Sequence, residues 1–337
     1  MTTGFLQYLA KAFLKEVSFG AMRSLPLPRF AVFCCIYLYS ISPLLAQDYI
    51  DLASFSYTSS FERTLEDTNI EAAIQEWNIN LDLPLVLNNE NALIFGLSAN
   101  TINVDLIPTP NPETNLYATT LRLGWNTTFN ERWSGTFLLM PKVASDFSSG
   151  FRRGKQIGAV VLFTQTRTDR LKYLYGIYGN TEEFGLLLVP ILGVYYKSAD
   201  NLFEADVFLP VRVDLNYSLS NTVSAGLRFD GLGSSFSLQK EGFNDHYVTR
   251  ASNELYLYGQ YKITPSLLLR GKFGYSFFRN FKVYDNEDKI DLSLVGIFFG
   301  NDREILNQDL NDSFQFKLEM VYRFNLIKNN PKPKVSK

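Results

Sequence analysis

Acid–base and nucleophilic hydrolysis usually need an imidazole, and this sequence has a single histidine, His246, in the stretch KEGFNDH beside Asp245. An Asp–His or Ser–His arrangement there would supply a general base. The neighbouring residues are polar, which describes a solvated loop better than a catalytic pocket. No nucleophile elbow, phosphate-cradling glycine motif or metal-ligand spacing accompanies the histidine. The two cysteines, Cys34 and Cys35, are adjacent in an apolar stretch near the amino terminus. Thiol catalysis, disulfide staples and cysteine–metal sites therefore have no residues further along the chain. The acidic run DNED at 285–288 reads as solvated surface ahead of a weak divalent-cation site. No catalytic residue, metal site or cofactor is implied.

A second set of charged residues is spread along the chain instead of clustered. Arg122, Arg212, Asp214, Arg228, Asp230, Arg250, Glu254, Arg270, Lys272, Lys317, Glu319 and Arg323 each fall at alternate places in otherwise apolar stretches. Residues of this kind do no bond chemistry. Facing water together, they solvate an interior or set the field that a passing ion meets. Arginines there would bias a narrow polar pore toward anionic solutes. Arg212 and Asp214 precede the turn SLSNT, and Arg228 and Asp230 follow it. An antiparallel hairpin would set these four charges facing one another.

The elements that position them are strands. In SFQFKLEMVYRFNL, Ser313 to Leu326, apolar residues occupy every second place, with Lys317, Glu319 and Arg323 between them. A helix would scatter such a pattern round its cylinder, whereas a strand sorts it into one apolar and one polar face. At roughly 3.3 Å per residue the stretch reaches about 46 Å, well beyond the roughly 17–20 Å of an ordinary strand. Similar alternation recurs along the chain, as in Trp77, Ile79, Leu81, Leu83 and Leu85. Asn, Asp, Ser, Gly and Pro punctuate each join. No amphipathic helix and no interdomain linker interrupts the series. Counting Leu202–Leu219 as one strand and Lys289–Phe299 as loop gives thirteen segments. A break at Pro210, which cannot donate to a ladder, makes fourteen, and merging two neighbours makes twelve.

Short turns alternate with longer acidic loops, notably SSFERTLEDTNIEAA at 59–73 and the stretch 282–312. Trp125, Trp133, Tyr195, Tyr196, Tyr261 and Tyr322 stand near strand ends, where interfacial aromatic girdles lie. Charge is only −2 over 337 residues, which suggests no nucleic-acid partner. No apolar segment after residue 50 is long enough for a transmembrane helix. Residues 1–46 read as a secretory signal, with Arg23 and Arg29 before the apolar run Phe30–Ile41 and a cleavage site before Gln47. Initiation at Met22 would make residues 1–21 an overcalled start. Residues 47–326 then form one barrel domain and 327–337 a polar tail.

These features resemble a Gram-negative outer-membrane β-barrel, similar to small barrel families of unknown function. The resemblance covers roughly residues 48–326 and implies an all-β fold, a closed antiparallel transmembrane β-barrel of 12 or 14 strands, embedded in outer-membrane lipid. It also implies that Tyr322, Phe324 and Leu326 form a carboxy-terminal signal read by the barrel assembly machinery. A polar tail after that strand departs from the usual pattern. The leading functional expectation is a passive channel or transporter for small solutes. A structural or receptor barrel displaying acidic loops is the alternative, and an outer-membrane hydrolase, resting on His246, comes third.

Overall fold

The structure, a computed structural model, describes residues 49–325, apart from 62, 65–70, 73, 107–112, 149, 151–152, 242, 296 and 308–311. The signal-like segment, Leu326 and the polar tail lie outside the described residues. Period-two patterning dictates extended backbone, and every described regular element is a strand. In chain order they are β1 (Tyr49–Ser60), β2 (Arg63–Thr64), β3 (Glu71–Ala72), β4 (Gln75–Val86), β5 (Asn91–Asp105) and β6 (Glu113–Thr128). Then come β7 (Trp133–Ser145), β8 (Lys155–Thr168), β9 (Leu171–Glu182), β10 (Gly185–Lys197), β11 (Phe203–Leu209) and β12 (Arg212–Ser218). The series ends with β13 (Val223–Leu238), β14 (His246–Lys262), β15 (Leu267–Asp285), β16 (Leu292–Leu294), β17 (Ile297–Phe299) and β18 (Ser313–Asn325).

Fourteen of these, β1, β4 to β15 and β18, form a closed antiparallel barrel. Each pairs with its neighbour in sequence, and β18 closes the ring on β1, with Ser60 opposite Gln315 and Tyr49 opposite Asn325. The break at Pro210 divides β11 from β12 and sets the count at fourteen. One end of the barrel carries short turns such as 87–90 and 129–132 together with the start of β1 and the end of β18. The other carries the long connections.

The outer face is apolar. Trp77, Ile79, Leu81, Leu83 and Leu85 of β4 are 39–55% exposed, and Phe273 and Leu318 are likewise exposed. Leu215 and Leu227 stand opposite one another on that face. An apolar belt running strand after strand is a liability in water and a requirement in lipid. Tyr195 does not join the girdle expected of it. It falls in the inward register of β10 and is only 4% exposed, whereas its neighbour Tyr196 is 41% exposed and faces out. Period-two geometry allows only one of two adjacent residues to face lipid.

The long-loop half departs from a plain barrel. β11 and β12 have 7 residues each, and their turn ends partway up the wall. Alongside, β13 passes through Gly231 and Gly233. The pairing of β14 with β15 shifts register between Ala251 and Asn253, and Phe278 takes a φ of 53°. Beyond these points the ends of the three strands turn into the barrel. Ser237 of β13 pairs with Ser145 of β7, on the far side of the ring.

Two apolar clusters fill the space so divided. Phe236, Leu238, Val248, Phe281 and Val283 pack on Ile102, Val104, Leu116 and Ala144. On the opposite face, Tyr247 and Tyr284 pack with Phe184, Leu187, Val189 and Ile290. The segment 289–299, expected to be loop, contains β16 and β17. β16 runs parallel to β10, Leu292 beside Leu186 and Leu294 beside Leu188, on the edge that β11 leaves uncovered. Exposed backbone edges recruit strands in this way.

Candidate functional site

Alternation gives every barrel strand an inward set of side chains, and in the short-turn half that set is polar. A cavity of about 790 Å³ opens there. Asp51, Asp82, Glu204, Asp206 and Asp214 line it together with Lys197, Arg212, Arg228, Lys262, Arg270 and Arg323.

The cations are held by carboxylates. The register of β12 with β13 sets Arg212 opposite Asp230 and Asp214 opposite Arg228. Arg228 then bonds two carboxylates, donating to Asp214 at 2.8 Å and to Asp230 at 2.9 Å. Arg212 turns the other way, to Asp206 at 2.5 Å, with its guanidinium over Phe208. Tyr258 donates to Asp214 at 2.7 Å. Arg270 bonds Glu319 at 2.9 Å and Gln260 at 2.7 Å, and Lys272 shares the same Glu319 oxygen at 3.0 Å. Lys317 lies across from Lys272, with its ammonium 6.0 Å from the Tyr256 ring. Arg122 reaches past Gly96 to Asp82 at 3.1 Å. A Cβ at position 96 would sit 2.6 Å from both partners, so glycine is what lets the pair form.

At the rim, Arg323 grips Asp51 through two bonds of 2.5 and 3.0 Å and stacks on Tyr49, 3.4 Å from its ring centroid. Tyr49 in turn donates to Glu204 of β11 at 2.8 Å, joining two distant parts of the ring.

Higher up, polar residues fasten the inturned strand ends. Arg250 pairs with Glu76 of β4 and, at 3.4 Å, with Glu254, which also accepts from Tyr256 at 2.7 Å. Glu182 of β9 accepts from the backbone and hydroxyl of Ser235 at 2.7 and 2.6 Å, and Gln156 donates to the Ser235 carbonyl at 3.1 Å. Asp146 accepts from the backbone of Gln239 and Lys240 at 2.9 and 2.8 Å. Of the twelve spread charges, Arg212, Asp214, Arg228, Arg270 and Arg323 line the cavity. Arg122, Asp230, Lys272 and Glu319 are ion-paired, Lys317 stands opposite Lys272, and Arg250 and Glu254 belong to the clasp.

Sequence reasoning did not single out Tyr49, Asp51, Glu76, Asp82, Glu182, Glu204 or Asp206. For Glu76, Asp82, Glu182, Glu204 and Asp206 the signal was present, since each occupies the inward parity of its strand. Tyr49 and Asp51 stand in the opposite parity to Ser54, Ser56 and Thr58 and reach the interior through the register shift between Asp51 and Ala53, which alternation does not reveal. What sequence cannot supply is which distant strand they meet.

His246 begins β14 instead of sitting within a loop. Its Nδ1 is 2.7 Å from the Asn244 carbonyl and its ring packs edge-on to Phe243. Asp245 pairs with Arg153. Histidine and aspartate thus have separate partners and form no dyad. Among the described residues no group of His, Cys, Asp and Glu is arranged to hold a metal ion.

Fold and interior together define a membrane-spanning β-barrel with a charged chamber at one end and a packed interior at the other. The chain belongs to the DUF6268 family, a domain of unknown function, whose model matches residues 46–292. No curated protein matches the sequence. Among solved structures it is similar to the COG4313 outer membrane channel from Pseudomonas putida F1, at 9% identity and a TM-score of 0.43, over 85% of this chain and 100% of that one. It is also similar to the NanC porin, at 9% identity and a TM-score of 0.33, over 80% and 98% of the two chains. A mutant of the TodX monoaromatic hydrocarbon channel matches at 9% identity and 0.35, over 81% and 89%. These are likenesses of barrel architecture, and no solute follows from them.

Proposed function

We propose that the protein lies in the outer membrane of a Gram-negative bacterium, short-turn end toward the periplasm, and passes small solutes through its barrel. The observation that carries this reading is the chamber of about 790 Å³ inside the short-turn half. A barrel serving only as a scaffold has no need of a charge-lined space, because burying so many ionic groups costs more than filling it with apolar side chains. Both signs of charge line the chamber, and its arginines are bonded to carboxylates, so the field suits polar or dipolar solutes more than anions alone.

Tyr322 and Phe324, near the end of the closing strand, fit recognition by an assembly machinery. The imidazole of His246 is engaged with the Asn244 carbonyl, which lends no support to the hydrolase reading. The packed long-loop half favours a second reading, a structural barrel that displays its acidic loops.

Liposome swelling separates the two. Vesicles carrying the folded protein should swell in isosmotic glycine or arabinose faster than vesicles without it. Equal rates for every such solute would remove the channel reading and leave the scaffold.

A further inference from the structure

The wall of the extracellular half is not continuous. β11 and β12 stop after 7 residues each, where the other barrel strands have 12 to 19. Above their turn, β13, β14 and β15 leave the wall for the interior. The gap beside β10 is covered by β16 and β17, and β16 is attached through only three residue pairs. Among the described residues β17 pairs with no strand besides β16. Ile297 and Phe299, 63% and 48% exposed, share one face of the hairpin with Leu292 and Leu294, whereas Phe298 turns to the other face and packs on Phe184.

Behind this patch the interior is apolar and aromatic. Leu187, Val189 and Ile191 of β10 are buried on the inward parity, and Leu187 and Val189 pack with Tyr247 and Tyr284. Following β10 downward, Ile191 leads to Tyr195, and Phe208 stands above Arg212 at the upper edge of the charged chamber. The inner surface therefore grades from apolar at the membrane side to ionic at the periplasmic side.

Arg303 fastens the cover. Its guanidinium lies 4.3 Å from the ring centroid of Tyr284 and 4.9 Å from that of Phe298, and it reaches the Tyr247 hydroxyl at 3.3 Å. Such contacts are modest in strength at a partly exposed site and reversible.

We infer that the gap beside β10, covered by β16 and β17, is a side entrance from the outer leaflet, and that the solute it admits is amphipathic, with an apolar body and one charged or polar end. The inference rests on the reading that the barrel passes solutes. An amphipathic molecule already in the lipid meets an apolar cover, slides past Leu187, Val189 and Ile191, and delivers its polar end to the chamber. A wholly polar solute has no reason to approach from lipid, and a wholly apolar one has none to enter the chamber.

Leu186 and Leu292 are register partners, so Leu186→Cys with Leu292→Cys would tether the cover to β10 on oxidation. The chain carrying them should also have Cys34→Ser and Cys35→Ser. The probe is pyrenebutyrate, an aromatic body with one carboxylate, and the measurement is its uptake by whole cells expressing the barrel. Expression should raise uptake severalfold over cells with an empty vector. Oxidation of the tethered barrel should return the rate to the vector level, and dithiothreitol should restore it. Arg303→Ala, which frees the cover, should raise uptake further.

Uptake that ignores the oxidised tether, or no gain from the barrel at all, would overturn the side entrance. Unchanged glycine swelling by the oxidised tethered protein would show that an end-to-end route stands without it. Loss of swelling from the untethered protein would instead point to failure of the channel reading itself. A heat-shift gel confirms that each variant is folded before its rate is read.

Discussion

Arg228 holds two carboxylates at once, Asp214 and Asp230, while Arg212 holds one, Asp206. Replacing Arg228 by Gln therefore leaves two negative charges without their partner inside a confined chamber, and replacing Arg212 leaves one. Because low-dielectric walls focus such fields, the reversal potential of bilayer currents under a salt gradient should move toward cations for both variants, further for Arg228→Gln. Unmoved potentials would mean that ions do not pass these residues. The clasp higher up should show itself in stability. Glu76→Ala leaves the buried Arg250 guanidinium with Glu254 alone, 3.4 Å away, and since removal of one partner of a buried pair costs about 3–5 kcal/mol, the loss should approach the lower end of that range. Urea unfolding of the refolded barrel should register that loss, whereas replacing Glu76 and Arg250 together by apolar residues should recover much of it. The inward parity of these residues was legible in the sequence, because a charge in a lipid-facing register is excluded. The partner of each was not. Arg250 meets Glu76 across 174 positions of sequence, and no local pattern encodes that distance.

Strands were the most legible feature. Alternation along Phe314, Phe316, Leu318, Met320 and Tyr322 identifies both the element and its lipid face, and all five are exposed. Phe273→Arg, on the same face of β15, should cost about 2–4 kcal/mol if position 273 lies near the membrane midplane. An Arg at inward Ser224 should cost less, since it faces the chamber. The comparison is read from unfolding midpoints in lipid vesicles, and equal penalties would contradict a lipid-exposed outer face. The inward turn of β13, β14 and β15 was missed, although two signs of it stand in the sequence. In GLLLVPILGVYY apolar residues occupy both parities, and a strand apolar on both faces must be covered on both. Leu187 and Val189 are covered from inside by Tyr247 and Tyr284 of the inturned ends. The inward parity of β13 likewise changes from Arg228 and Asp230 to Phe236 and Leu238, which marks the point where wall becomes core. Pro210 was readable as a break because proline cannot donate to a ladder, yet Pro84, Pro141 and Pro190 lie inside continuous strands, so the missing donor alone did not locate it.

A closed fourteen-stranded ring has no free edge through most of its circumference, so it should resist detergent until heated. Unboiled protein should run anomalously on a detergent gel and shift on boiling, and indifference to boiling would speak against a closed barrel. Within that ring the long-loop half is shut by packing between the inturned ends and β5 to β7. Phe281 is central to it, 1% exposed, inside the apolar cluster and 5.9 Å beneath the Arg250 guanidinium. Phe281→Ala removes the ring from both contacts. A core truncation of this size costs about 3–5 kcal/mol, and here the loss falls on the seal more than on the outer wall, whose hydrogen-bonded ladder the substitution does not touch. The heat shift should therefore survive while the seal loosens. In planar bilayers the wild-type protein should conduct rarely and briefly, whereas Phe281→Ala should hold open states for longer. A variant that keeps its heat shift yet stays as quiet as the wild type would show that the inturned strand ends are not the barrier to ions.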